Sequence, residues 1–286
     1  MTVSNVAVLG AGIMGRGIAY VSALGGFRTI LQDTSRAALD QAGAEISALL
    51  EQGVATGKVK SEAAAAAHKR LSTSQKLEDA VHGADLVIEA VPEDVALKVE
   101  LFAALDRLAP PQAILASNTS SLSITEMAAA TRRPDRVVGM HFFNPVHRMR
   151  LLEIVRALET AEDTLAVAAI VGGRMGKECV VVKESPGFVT SRINAMIGNE
   201  AFYILQEGVA SAADIDLALK LGLNHPMGPF ELVDLVGLDT RLAILRFLHR
   251  TLGEKFRPCP LIEQYVAAGR LGRKSGRGVY DYPAAS

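Results

Sequence analysis

The chain has few cysteines, no long apolar run and almost no net charge, and each shortage excludes something. Cys179 and Cys259 are the only cysteines among 286 residues. They are too few, and too far apart in the chain, for a disulfide framework or a metal site. Cys179 opens an apolar run and is expected to be buried filler. The formal net charge of −1 leaves no nucleic-acid footprint in the total. No apolar run approaches the roughly 18 residues of a membrane span. The opening letters MTVSNVAVLGAG enter a strand directly, with no basic leader or cleavage site. These absences predict a soluble, cytoplasmic protein that binds neither nucleic acid nor membrane. The rest of the composition, 49% hydrophobic and 21% charged, is ordinary for a globular protein. The length suits two domains better than one small core.

Short continuous apolar runs recur along the first two thirds of the chain. They begin with Val6–Leu9 and Thr29–Asp33. "DLVIEAV" from Asp85, "AILASN" from Ala113, "RVVGMHF" from Arg136, "LLEIVRA" from Leu151 and "CVVVK" from Cys179 follow. Helical patterns lie between most of them: one after the first glycines, one from Ser35 to about Val54, "KSEAAAAAHKR", and "VALKVELFAALDRLA" from Val95. Continuous apolar strands alternating with helices predict an α/β domain with a doubly wound, mostly parallel sheet. After "ESPGF" the pattern is nearly all helical: Val189 to Glu207, Ala212 to Leu221, and a third helix from Gly228-Pro229 to about Leu252. The expected domains are residues 1–184, binding a dinucleotide, and residues 185–286, all helical. "FELVDLVGL" and "LAILRFL" carry more apolar surface than a domain of about 100 residues would hide alone, which predicts a homodimer through the second domain.

Gly10, Gly12 and Gly15 form G-x-G-x-x-G directly after a strand and before a helix. The first glycine permits the tight turn, the second lets the backbone approach a pyrophosphate, and the third lets helix and strand pack closely. The helix N-terminus then offers N–H groups to the phosphates. The candidate contacts are Gly10, Gly12, Ile13, Met14 and Gly15. A plain glycine turn would show the same letters. Asp33, closing the second strand where an acid accepts from a ribose 2′-hydroxyl, favours the nucleotide reading. It would repel a 2′-phosphate, so NAD is expected rather than NADP.

With a nicotinamide cofactor the chemistry narrows to hydride transfer, and "GMHFFNPVHRMRLLE" supplies a base. Oxidising an alcohol needs an acceptor for the hydroxyl proton, and a histidine titrates near working pH. A carboxylate that orients the ring improves it. His141 is the candidate base, Glu153 the candidate carboxylate, and "SNTSS", Ser117 to Ser121, offers hydroxyls for the substrate oxygen. His68, His82 and His249 read as surface residues and His225 as part of a turn. His147 lacks a third ligand, so no metal site is expected.

Taken in order, "GAGIMG", "IEAVPED…K", "ASNTSSLSIT", "GMHFFNP…M…LLEIV", "SPGFVTSRI", "HPMGPFELVDLVGLDT" and "GRLGRKSGRGVYDY" resemble the (3S)-3-hydroxyacyl-CoA dehydrogenase family, its 3-hydroxybutyryl-CoA dehydrogenases above all. The resemblance spans nearly the whole chain. It implies a Rossmann-type domain, a helical dimerisation domain, a cleft between them, NAD as cofactor and an acyl-CoA substrate. It puts the catalytic histidine on His141, its carboxylate on Glu153 and the substrate-contacting serine on Ser120. Further cofactor contacts fall on Glu93, Lys98, Asn144 and Lys274, with Asn144 also close to substrate. Glu93 also reads as a helix N-terminal acid favoured by the dipole. The family's substrate-contacting asparagine is replaced here by Ser191, which has one donor rather than two; Asn194 is a neighbour that could take over. The family's coenzyme A segment has serine and lysine contacts that "EISALLEQGVATGKVK" does not visibly match. Lys58 and Lys60 lie close by. Solvated surface lysines are the preferred reading, with Lys58 kept as a candidate for the phosphates. The expected reaction is NAD-dependent interconversion of a (3S)-3-hydroxyacyl-CoA and its 3-oxoacyl-CoA. The rivals are a dehydrogenase of a free hydroxy acid or sugar acid on the same fold, and a nucleotide-binding structural or sensing protein.

Overall fold

The computed structural model describes residues 2–282, which divide into two compact units with the boundary between residues 185 and 186. The first unit alternates strand and helix. Its elements are β1 (Asn5–Leu9), α1 (Ile13–Leu24), β2 (Arg28–Gln32), α2 (Arg36–Ala55), α3 (Ser61–Arg70), β3 (Leu71–Ser74), α4 (Leu77–Val81) and β4 (Leu86–Glu89). After these come α5 (Val95–Leu108), β5 (Ile114–Ser117), α6 (Ile124–Ala129), β6 (Val137–Phe142), β7 (Leu151–Arg156), α7 (Glu162–Arg174) and β8 (Glu178–Lys183). One sheet of eight strands runs in the order β3-β2-β1-β4-β5-β6-β7-β8.

The central strands β4, β5 and β6 are buried along their whole length, as near-continuous apolar runs covered by helices on both faces should be. Ser35 caps α2 by accepting from the Ala38 N–H, and Asp94 caps α5 by accepting from the Leu97 N–H. β3, the edge strand "LSTS", has one apolar residue, so apolar periodicity does not reveal it. Only the β6–β7 pair is antiparallel. The segment joining these strands is too short for the helical crossover that a parallel neighbour requires, so the chain turns back. Its register sets His141 directly opposite Glu153.

The second unit contains α8 (Thr190–Gln206), α9 (Ala212–Gly222), α10 (Pro229–Val236), α11 (Leu238–Leu252) and α12 (Pro260–Ala267). The expected single helix from Pro229 to about Leu252 is two helices. Gly237 between them has φ +104°, a conformation that a side chain resists, and it turns the chain there. Phe202, Phe230, Leu242, Leu245 and Leu248 fill the core. Two buried carboxylates close this unit. Asp216 accepts from the Phe230 and Glu231 N–H groups and from the Tyr280 hydroxyl. Asp234 accepts from the Val279 and Tyr280 N–H groups and from the Tyr282 hydroxyl. Burial first, and then the Asp234 carboxylate, push the Tyr282 phenol up to about 12. The letters "GPFELVD" and "GVYDY" are therefore coupled by structure: the first supplies a carboxylate and a helix start, the second the strap they hold.

Cys179 is half-buried on β8 rather than fully buried, because that strand is a sheet edge; its thiol donates weakly to the Ala169 carbonyl. Burial raises its pKa, as expected of an inert thiol. No helix among the described residues is long and apolar enough to cross a membrane.

Candidate active site

Parallel pairing brings the C-terminal ends of β1, β4, β5 and β6 to one edge of the sheet. The row runs Gln32–Leu9–Glu89–Ser117–Gly139 in register. Ligands of open α/β sheets bind beyond this edge.

The glycine loop leaves β1 here. Gly10 has φ +96°, and a Cβ on it would stand 2.6 Å from the Ala90 carbonyl oxygen. A Cβ on Gly15 would stand 1.7 Å from the Gly10 carbonyl oxygen, so the first turn of α1 packs directly on the loop. Gly12 is different: a Cβ there would meet nothing within 4 Å. The protein's own packing does not require a glycine at Gly12, but a ligand backbone lying against it would. Gly12 also starts α1, which has no side-chain cap and no acid in its first turn. The helix N–H groups at Ile13 and Met14 are thus offered to an anion. This cradle fits a dinucleotide pyrophosphate. Asp33, just past β2, accepts from the Ala11 N–H at 2.9 Å and from the Ser35 N–H at 2.8 Å. The first bond holds its carboxylate against the loop, and the second ties it to the start of α2.

Beyond β4 lies an ionic cluster that the sequence reading reached only in part. Lys98 is 1% exposed, and its ammonium donates to Glu89 at 2.7 Å and lies 3.1 Å from Glu93. Glu89, fully buried, also accepts from the Ser117 hydroxyl at 2.6 Å and from the Val91 N–H at 2.7 Å. Glu89 escaped the sequence reading; its one signal was an acid ending an otherwise apolar strand. Glu93 lies at the N-terminal end of α5, next to the capping residue Asp94. It turns to the loop after β5, accepting from the Thr119 hydroxyl and, at 3.3 Å, from the Ser120 N–H. Lys98 and Glu93 thus connect the cofactor edge to the backbone that carries Ser120.

His141 and Glu153 meet across β6 and β7, with Nδ1 and Oε2 2.7 Å apart and both residues buried. A carboxylate can only accept, so Nδ1 carries the proton and Nε2 is the basic nitrogen of the neutral ring. The Phe143 ring packs 4.4 Å from the imidazole, centroid to centroid. Asn118 accepts from the Phe142 N–H at 2.9 Å and ties β6 to the serine loop. Asn144 is exposed just past β6, and its bond to Pro145 is cis.

Two candidates lie in the second unit. Ser191 is half-buried in the first turn of α8, and Lys274 donates to Asp239 at 2.7 Å. Lys58 is exposed after α2. His249 pairs with Glu254 at 3.1 Å, and the His225 N–H closes a turn on the Leu219 carbonyl.

Residues 5–185 match the family model of the 3-hydroxyacyl-CoA dehydrogenase NAD binding domain, and residues 187–282 that of the 3-hydroxyacyl-CoA dehydrogenase C-terminal domain. A Bacillus subtilis protein named probable 3-hydroxybutyryl-CoA dehydrogenase is 48% identical over 283 residues, covering 99% of this chain and 98% of the relative. The 3-hydroxybutyryl-CoA dehydrogenase of Bradyrhizobium diazoefficiens is 45% identical over 284 residues, covering 99% and 97%. A crystal structure of (S)-3-hydroxybutyryl-CoA dehydrogenase from Ralstonia eutropha matches with a TM-score of 0.96 at 43% identity, over 99% of this chain and 100% of that one. Matched in both domains and along nearly its full length, this chain belongs to the 3-hydroxyacyl-CoA dehydrogenase family and is an NAD-dependent enzyme of it.

Proposed function

We propose that the enzyme interconverts short (3S)-3-hydroxyacyl-CoA thioesters, such as 3-hydroxybutyryl-CoA, and the 3-oxoacyl-CoA, with His141 as the base. The observation that carries this reading is the buried His141–Glu153 pair at 2.7 Å, near the sheet edge that holds the glycine cradle. Bound NAD supplies the hydride acceptor. In oxidation, His141 Nε2 takes the proton of the substrate hydroxyl as hydride leaves the same carbon. Glu153 keeps Nδ1 protonated and stabilises the imidazolium that forms. Ser120 hydrogen-bonds the substrate oxygen, and Glu93 holds the backbone of Ser120 in place. Reduction runs the same proton path backwards. Initial rates with acetoacetyl-CoA, free acetoacetate and a sugar acid test the reading against its rivals. Turnover of a free acid in preference to the thioester would overturn it, and no turnover at all would favour a binding or structural role.

Asp33 supports NAD over NADP, because a second anion beside its carboxylate is repelled. NADH should be preferred over NADPH in kcat/KM, and Asp33→Ala should narrow that gap. Equal kcat/KM for the two in the unaltered enzyme would refute this role.

The reading includes a homodimer made through the helical unit. The stretch "LAILRFL" does not argue for it as expected, since Leu242, Leu245 and Leu248 are taken up by that unit's own core. The surplus lies in Leu235, 50% exposed within "FELVDLVGL", and in Leu221, 78% exposed, Leu223, 67%, and Val209, 69%. Light scattering at micromolar concentration should give twice the 30.3 kDa chain mass; a monomeric mass would remove the proposal.

A further inference from the structure

We propose that the buried cluster of Glu89, Lys98 and Glu93 sets which redox state of the cofactor is held more tightly. Its net negative charge favours the cationic ring of NAD⁺ over the neutral ring of NADH, and Glu89 fixes the cluster in place. The inference rests on His141 as the base in the reading above, and not on the identity of the substrate.

The hydrogen bonds identify the charges. Every bond to the Glu89 side chain is donated to it: by the Val91 N–H at 2.7 Å, the Lys98 ammonium at 2.7 Å and the Ser117 hydroxyl at 2.6 Å. Glu93 likewise accepts from the Thr119 hydroxyl and, at 3.3 Å, from the Ser120 N–H, and its second oxygen lies 3.1 Å from Lys98. Bonds that all run toward the side chain are the pattern of carboxylates, which can only accept. One ammonium therefore faces two carboxylates, and one negative charge is left over. Among the described residues no other lysine or arginine pairs with either acid. Glu89 and Lys98 are both buried, so water screens their charges little. Glu89 also holds the cluster in place. It anchors Lys98 from α5, Ser117 on β5 and the backbone just beyond β4 at once.

The strand order brings this charge to the ring. Along the row β2-β1-β4-β5-β6, Asp33 follows β2 on the adenosine side, the glycine loop leaves β1, and His141 stands on β6. His141 takes the hydroxyl proton from the carbon that hydride leaves, so the ring that receives the hydride lies on the β6 side of the loop. Glu89 and Ser117 end the two strands between, paired in register. Leu9, the last residue before the glycine loop, pairs with Glu89 from the other side. Glu89 thus stands at the switch from β1 to β4, where dinucleotides cross the edge of such a sheet. The nicotinamide ring carries one positive charge in NAD⁺ and none in NADH. A fixed negative charge beside it attracts only the oxidised form. The adenosine, riboses and phosphates are common to both forms and cancel from the comparison.

Glu89→Gln tests this, because it withdraws one charge at nearly constant volume. The amide oxygen keeps the bonds from Val91 and Lys98, and the Ser117 hydroxyl can turn to accept from the amide nitrogen. Lys98 and Glu93 then remain as a neutral pair. Calorimetry measures the binding of NAD⁺ and of ADP-ribose, and fluorescence titration that of NADH. The ratio of NAD⁺ affinity to NADH affinity should fall by about tenfold in the variant, the size expected of one charge acting over about 10 Å at an effective dielectric constant of about 20. ADP-ribose, which ends before the ring, should bind both proteins alike. Glu93→Gln should move the ratio in the same direction by about two- to threefold, because that side chain is 41% exposed and solvent screens it. Thermal melts check that each variant is folded; should Glu89→Gln not fold, Glu93→Gln decides. A ratio unchanged in the folded variants would overturn the proposal. So would equal losses of NAD⁺, NADH and ADP-ribose, the mark of a residue that only supports the fold. No acyl substrate takes part in these titrations, so their outcome is separate from that of the assay with acetoacetyl-CoA.

Discussion

His141→Ala is expected to lower kcat by about 10²–10⁴-fold, the usual worth of a positioned general acid–base. NADH binding, followed by fluorescence titration, should persist, because the proposed cofactor contacts, the glycine loop and Asp33, stand on β1 and β2 rather than on β6. Glu153→Gln keeps an acceptor opposite Nδ1 but withdraws the charge that stabilises the imidazolium, so its loss should also be large, about 10²-fold or more. On the proposed mechanism the two side chains act as one unit. The double variant His141→Ala/Glu153→Gln should therefore lose far less than the product of the single losses. Near-normal turnover by His141→Ala would reduce the pair to a satisfied polar contact inside the sheet. Fully multiplicative losses would show that Glu153 acts on something other than the histidine.

The glycine loop should give an effect of comparable size through a different route, and two alanines separate its parts. Gly15→Ala puts a methyl 1.7 Å from the Gly10 carbonyl oxygen, between backbone atoms that cannot yield without moving α1 off β1. Overpacking of this kind should cost about 3 kcal/mol or more of stability, visible as a lowered unfolding temperature. Gly12→Ala meets no protein atom within 4 Å and keeps an ordinary φ of −67°, so its stability cost should stay under about 1 kcal/mol. NADH affinity should nevertheless drop by about tenfold or more, because the methyl occupies the space that the pyrophosphate needs. Thermal melts with and without NADH would check both. If Gly12→Ala bound NADH normally, the loop would not be the phosphate cradle.

Much of this site was legible in the letters because its logic is local. A strand, a glycine turn, a helix start and an acid ending the next strand all fall within the first 33 residues, and each is set by short-range backbone geometry. The short segment from Phe142 to Leu151 likewise favours an antiparallel return. The register that pairs His141 with Glu153, however, is a matter of sheet packing. Glu89 shows the limit. Its letter ends an apolar run like any strand-end acid, and its role depends on Lys98 reaching back from α5 and Ser117 arriving on the next strand. Glu93 reads as a helix N-terminal acid favoured by the dipole as well as a cofactor contact, and only the fold turns it toward Thr119 and Ser120.

Local letter patterns already carry the two-part organisation, the α/β class and the G-x-G-x-x-G turn between strand and helix. Apolar periodicity and glycine placement act over a few residues and survive translation into letters. Long-range packing sets the break at Gly237, the edge strand β3 and the buried Glu89–Lys98–Glu93 cluster. Glu89, Glu93 and Lys98 stand on a strand, a loop and a helix, and in the letters each is a solvated charge; only packing brings the Lys98 ammonium within 2.7 Å of Glu89 and 3.1 Å of Glu93, where the low dielectric of a buried site strengthens their attraction.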